Sequence, residues 1–453
     1  MDPRAIDGFL RGLPPSVDGA ALRRAWQALT PDYAVDRWRL PLPVWARRRY
    51  DDSGVRAWET LGRDLAEAGA ARPFCIYLHV PFCSSKCGFC DSYSFTLGAH
   101  QAERLDAYVD RLCYELRLWS ALPGLRRRPV STVHLGGGTP TFLGAARLAR
   151  LAACCRECFA TSDATEWALE STVAELTPEV QAALHALGYR RLHLGVQSLE
   201  DDVRAVIGRR RPAAAVLAAV EAALALDWVV SVDLICGLPG QTPGGFVAGL
   251  ERLIAAGVDG VSLYELLIYA QNRRWAAAHG LARRDHAANF LLFQAGAGVL
   301  AAHGFRPNLF NHWAGPRDAN VYFTFPTRGE DCLAVGTIAD GVFGDYHYRH
   351  PRYGQYLRTA LAGAPGLEGG LRRNTFENAL HPLVTAILSG AVPAELFALV
   401  PDAVTATLIE RWLESGLVQL DDDAVRLTGS GAWFAGNLIV DLAAEMTEGI
   451  PGE

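Results

Sequence analysis

Between residues 74 and 266 the chain repeats one alternation six times: a short apolar, β-rich run, then a stretch of Ala- and Leu-rich helical periodicity. Parallel strands need a long crossover, most simply a helix, and are buried on both faces, so this alternation predicts parallel βα units. The runs fall at 74–80, 132–136, 167–171, 191–196, 229–235 and 261–266. Six such units close into a partial barrel or form an open sheet, and ligands bind such folds at the C-terminal strand ends. Cys83, Gly136, Gly137, Gly138, Glu170, Gln197 and Asp233 all fall there, which predicts one shared site.

Composition narrows the class. With 453 residues, half of them hydrophobic, the chain can bury a core large enough for two or three domains. The formal net charge is only -6, and the segment from Asp421 to Glu453 is acidic, so phosphate contact and nucleic-acid binding are not expected. The basic residues are almost entirely Arg, with Lys86 the only lysine. No window offers eighteen apolar residues free of charge, so a cytoplasmic protein with no membrane partner is expected. Ten cysteines in a reducing compartment read as free thiols or metal ligands.

Outside the repeats, residues 1–72 read as an extension rich in Arg, Trp and Pro, and 73–300 as the barrel core. The stretch 301–370 is aromatic and irregular, with Trp313, Tyr322, Phe323, Phe325, Tyr346 and Tyr348, and is expected to bridge the barrel mouth. Residues 371–453 end in a helical run and the apolar segments 417–420 and 425–427 about Asp421, Asp422 and Asp423, which suggests a mainly helical, winged-helix-like domain.

The chemistry lies in a loop directly after the first strand, where Cys83, Cys87 and Cys90 are spaced C-x3-C-x2-C. Three thiolates leave one iron of a cubane cluster without a protein ligand, free for the amino and carboxylate groups of S-adenosylmethionine. A structural zinc site is the alternative, and it needs a fourth ligand, with His79 and Cys75 nearby on the strand. Cys154, Cys155 and Cys158 lie in a helical run and read as buried thiols. His134 leads into three glycines, which let backbone approach a ligand closely. Glu170, Gln197, Arg209 and Asp233 offer the donors and acceptors that a ligand with ammonium, carboxylate, ribose and adenine requires.

At these residues the sequence resembles the radical S-adenosylmethionine superfamily, in the branch of oxygen-independent coproporphyrinogen III oxidase. The likeness runs from about Cys75 to Gln241 through YLHVPFCSSKCGFC, HLGGGTPTFL, LGVQSLEDDV, IGR and VDLICGLPGQT, and continues more weakly through LAVGTIADG. It implies a partial (β/α)6 barrel of α/β class, a [4Fe-4S] cluster on Cys83, Cys87 and Cys90, and S-adenosylmethionine held by Tyr77, Gly137, Glu170, Gln197, Arg209 and Asp233. It also implies a second S-adenosylmethionine beside Phe89, Gly138 and Thr139. An electron donor such as flavodoxin or ferredoxin is then expected, and a separate methyltransferase is a candidate partner.

Two departures steer the expected reaction. The oxidases continue the loop with a further cysteine where Ser92 stands, so porphyrinogen decarboxylation is not expected. The heme chaperones carry a His-Asn-x-x-Tyr-Trp motif, and here Asp318 takes the place of its His. The resemblance then points to the methyltransferase and cyclopropanase type. In that reading a methyl or methylene group passes from the second cofactor to an sp2 carbon of a small, natural-product-type substrate, with a planar aromatic one a candidate. Anaerobic heme or porphyrin modification, and a non-catalytic heme carrier, are the alternatives.

Overall fold

The computed structural model describes residues 3–67, 72–98, 101–281, 285–358 and 363–448. The six apolar runs are strands β1 (Phe74–Val80), β2 (Val130–Gly137), β3 (Glu166–Ser171), β4 (Arg191–Gln197), β5 (Val229–Cys236) and β6 (Gly260–Glu265). They stand in chain order, parallel throughout, within a thirteen-stranded sheet. The crossovers carry helices α1 (Ala102–Ser120), α2 (Ala145–Cys158), α3 (Pro178–Ala186), α4 (Ala213–Ala225) and α5 (Pro243–Ala255), and α6 (His286–Ala302) follows β6. Helices α3 and α5 start on Thr177 and Thr242, whose side chains accept from backbone N–H groups, with a Pro next where its missing N–H costs nothing.

The stretch 301–370 departs from the irregular bridge expected of it by extending both edges of the sheet. On one side β7 (Arg306–Leu309) and β8 (His312–Ala314) form a hairpin whose second strand runs antiparallel to β6. On the other side β9 (Asp331–Val335) lies parallel to β1, making a seventh parallel strand. It is followed by antiparallel β10 (Asp340–Phe343), β11 (Tyr346–Arg349) and β12 (Gly369–Arg372). The buried Arg128 donates to Asp331 at 2.5 Å and so pins the start of β9 beside β1.

Side chains alternate across these strands. Val133, Leu135, Leu169, Leu192, Leu194, Val232 and Leu263 join the main apolar core. The opposite set, Thr132, His134, Glu170, Arg191, His193, Ser231, Asp233 and Ser262, fills the barrel interior with polar groups, which must then bond to one another. Arg191 donates Nε to His193 Nε2 at 3.0 Å and Nη2 to Asp318 at 2.5 Å. The other Asp318 oxygen lies 2.8 Å from His312 Nε2, while Ser262 and Ser231 meet the remaining nitrogens of His312 and His193.

The C-terminal segment comprises α7 (Thr375–Leu388), α8 (Asp402–Glu414) and α9 (Ala435–Glu448) with a small antiparallel sheet of β13 (Ala391–Pro393), β14 (Val418–Asp421) and β15 (Ala424–Leu427). This is the helical, wing-bearing arrangement expected. The N-terminal extension packs on it: Tyr33 donates to Asp441, Trp38 Nε1 to the Trp433 carbonyl at 2.9 Å, and the Arg39 N–H to Asn437 at 3.0 Å.

Candidate cluster and cofactor site

The cysteine loop leaves β1 and returns on itself, because Phe82–Cys83 pairs with Phe95–Thr96 and the Leu97 N–H donates to the Cys83 carbonyl at 3.1 Å. Its tip is fixed by Gly88, whose N–H donates to Ile207; a Cβ there would stand 2.1 Å from the Trp275 indole nitrogen. The three-glycine turn after β2 zips onto the loop's base. The Gly138 and Thr139 N–H groups donate to Val80 and Phe82, each at 2.8 Å, and the Thr139 hydroxyl lies 3.5 Å from Cys83 Sγ. A Cβ on Gly138 would meet that sulfur at 3.0 Å, so backbone here approaches as closely as the thiols allow.

Cys83, Cys87 and Cys90, all partly exposed, ring a cavity of about 420 Å³. Burial pushes the Cys83 and Cys87 thiols above their ordinary range, opposed by Thr139 at the first and the Arg209 charge at the second. Among the described residues no three His, Cys, Asp or Glu side chains converge on a single ion-sized point. His79 and Cys75, the candidate fourth ligands of a zinc site, are buried in β1, where the His79 ring faces Tyr77 and the Cys75 thiol faces Glu330. The donor set is three thiols around an open volume, which suits a cluster.

The other expected residues meet at the same cavity. Phe89, Gly137, Gly138, Thr139, Glu170, Gln197, Arg209 and Asp233 line it. Burial alone would raise the Glu170 carboxyl, but His134 at 3.3 Å and the Gly137 N–H at 3.0 Å hold it below the usual carboxylate range. At Asp233 burial and the neighbouring Glu170 charge outweigh the Ser262 hydroxyl and the Arg209 charge and push it up to about 7. Arg209 sits 5.9 Å from the Phe89 ring with its Nε buried and without a hydrogen-bond partner, a donor ready for an anionic group such as a carboxylate. Gln197 turns out of β4 with φ of 71°, a left-handed backbone that breaks the pleat and re-aims its amide.

Tyr77 is the exception, since it does not line this cavity. Its ring stacks on Tyr322 at 5.0 Å and its hydroxyl meets His79 Nδ1 at 3.0 Å, behind Glu170. The aromatic stretch likewise serves packing: Trp313, Tyr346 and Tyr348 are buried, and Tyr322 stacks on His134 at 4.3 Å. Lys86 lines the cavity too, as do residues not singled out from the sequence, among them Ser94, Thr172, His193 and Arg210. Of these, His193 carried a signal, standing two residues from Arg191 and Gly195 on the inward face of β4.

A second cavity of about 460 Å³ meets the first at Phe89, Ser92, Gln197 and Asp233. Its walls come from Trp38 of the N-terminal extension, the end of β6 with Tyr264 and Glu265, Phe293 of α6, and Trp433 near the C terminus.

A barrel with three cysteines ringing an open volume at its C-terminal strand ends defines the radical S-adenosylmethionine class, and the Radical SAM superfamily model matches residues 77–261. The chain is 31% identical to heme chaperone HemW of Mycobacterium tuberculosis over 80% of its own length and 93% of the relative's. It is 28% identical to anaerobilin synthase of Escherichia coli O157:H7 over 86% and 87% of the two lengths. The fold is that of Escherichia coli coproporphyrinogen III oxidase, described as a radical SAM enzyme: the TM-score is 0.75 over 90% of this chain and 98% of that one, at 23% identity. The chain therefore belongs to the coproporphyrinogen III oxidase-like branch of the radical S-adenosylmethionine superfamily, which uses a [4Fe-4S] cluster and S-adenosylmethionine.

Proposed function

We propose that this chain is a radical S-adenosylmethionine enzyme that modifies a tetrapyrrole anaerobically, in preference to the methyl or methylene transfer expected from the sequence. The names of the relatives, anaerobilin synthase, heme chaperone and coproporphyrinogen III oxidase, share a tetrapyrrole, and the chain spans most of the first two. The observation that carries the reading is the second chamber opening onto the cofactor cavity. Aromatic walls suit a flat macrocycle. The carboxyl groups of Asp91, Asp233 and Glu265 suit pyrrole N–H donors, and Arg210 and Arg211 at the rim of the first cavity suit acidic substituents.

An enzyme is favoured over a carrier by Asp318. At the place of the chaperones' motif His, it is fully buried between Arg191 and His312, and so offers no imidazole to heme. When bound, the cluster on Cys83, Cys87 and Cys90 together with S-adenosylmethionine supplies a 5′-deoxyadenosyl radical for hydrogen abstraction. The chain's own residues do the positioning. Arg209 takes a carboxylate, Glu170 an ammonium and Asp233 hydroxyl groups, while Phe89 shields the junction of the chambers from water.

Among the described residues no helix is long and apolar enough to cross a membrane, and all ten cysteines are free. We place the enzyme in the cytoplasm, reduced by a low-potential donor such as flavodoxin or ferredoxin. Two-cofactor methyl or methylene transfer is the second reading, favoured by Phe89, Gly138 and Thr139 lying beside the first cofactor's residues. The test is anaerobic turnover of the reconstituted protein with heme or coproporphyrinogen III, read by mass spectrometry. Deoxyadenosine with a modified tetrapyrrole, both absent in Cys87→Ala, is expected. An unchanged tetrapyrrole with S-adenosylhomocysteine formed on another acceptor would give the second reading precedence.

A further inference from the structure

The chain holds 43 basic residues, and all but one are arginine. Wherever a generic positive charge serves, this protein uses a guanidinium, so the single ammonium marks a place where the two groups are not interchangeable. That place is position 86, inside the cysteine loop and immediately before Cys87.

The geometry around Lys86 explains the choice. Its Nζ lies 2.9 Å from the Ser92 carbonyl, 2.9 Å from the Ser94 hydroxyl and 3.5 Å from Cys90 Sγ. An ammonium has three donors on one atom and meets three acceptors grouped about one point; a guanidinium spreads its donors over a planar fork. Two contacts tie the loop's outgoing limb to its start, and the third reaches a sulfur that also lines the cavity. Hydrogen bonds to cluster sulfurs and nearby charge set iron–sulfur potentials, and a positive charge favours the state carrying one more electron.

We propose that Lys86 is a positioning residue for the cluster: held by Ser92 and Ser94, its ammonium donates to the Cys90 sulfur and raises the cluster's reduction potential. The ammonium thereby eases the electron's entry by acting through Cys90 Sγ. This holds whether or not the substrate is a tetrapyrrole, because the potential is read in its absence.

The experiment is an EPR-monitored redox titration of the reconstituted holoenzyme, with iron and sulfide contents measured alongside. For Lys86→Gln the ratio of reduced to oxidised cluster at a fixed potential is expected to fall about tenfold, which is about 59 mV for a one-electron couple. Lys86→Arg keeps the charge and loses the three-way fit, so its potential is expected between the two. Because Lys86 is the only lysine, acetylation of the already loaded wild-type protein, mapped by mass spectrometry, removes the same charge without asking a variant to fold. The same fall is expected there. Full cluster content with an unshifted potential in the acetylated protein overturns the proposal, and so does an unshifted Lys86→Gln variant. An Arg variant that matches the wild type overturns the three-donor fit.

Discussion

At the scale of single residues, the site pairs two carboxyl groups whose proton affinities are shifted in opposite directions. Glu170 is held ionised by His134 and the Gly137 N–H, whereas Asp233, buried and facing that charge, is pushed up to about 7. An ordinary aspartate titrates near ~3.9, so the folded protein holds the Asp233 proton more tightly than the unfolded chain does. This residue's contribution to the stability of the ligand-free protein is therefore full below about pH 4 and lost as the pH rises through about 7. A group that accepts from hydroxyls works as the carboxylate, so S-adenosylmethionine affinity should rise across the same window and level off above it. Asp233→Asn is expected to keep its iron, flatten the melting-temperature profile between pH 4 and 7, and weaken cofactor binding about tenfold or more, the worth of a lost charged hydrogen bond. Calorimetric titration at several pH values checks this; unchanged pH dependence in the variant would remove Asp233 from the site.

At the scale of elements, the strands and the cysteine loop were legible because their signals are local. Apolar runs of six to eight residues followed by helical periodicity read directly, and C-x3-C-x2-C needs no tertiary information. Strand β9 was not legible. It has five residues, all buried, and its place beside β1 is set by Arg128 and Asp331, 203 positions apart in sequence. Tyr77 was expected at the cofactor, yet period-two alternation cannot say which neighbour fills the space before a side chain, and Tyr322 fills it here. The loop's tip makes its own prediction. Gly88→Ala drives a methyl into the Trp275 ring and should cost about 1–3 kcal/mol as overpacking, with a change in indole fluorescence as the contact with Val206 is lost. Trp275→Leu in the Gly88→Ala background should recover part of the melting temperature; a single Gly88→Ala variant with wild-type melting and fluorescence would contradict this tip geometry.

At the scale of the whole molecule, the second chamber belongs to no single segment. The extension brings Trp38, the barrel brings Tyr264 and Glu265, and the C-terminal part brings Trp433, with the first and last sewn together by Asn437. Asn437 accepts from the Arg39 N–H at 3.0 Å and donates to the Arg37 carbonyl at 3.1 Å. Asn437→Ala should cost about 1–3 kcal/mol for the backbone groups it leaves unpaired. Hydrogen exchange should then quicken together in residues 35–41 and 432–437 while iron content stays unchanged. Faster exchange in only one of the two would show that the segments do not close as a unit.

That seam also fixes an order of events during synthesis. Chains emerge and fold from the N terminus, so the cysteine loop at 83–95 leaves the ribosome while Trp433 and Asn437 are still unmade. Until the last helix arrives, the thiols stand beside a chamber with one wall missing, open to whatever delivers iron and sulfide. The second chamber is finished only once residues 432–437 have been made and folded, so metal loading can precede the closure that would obstruct it.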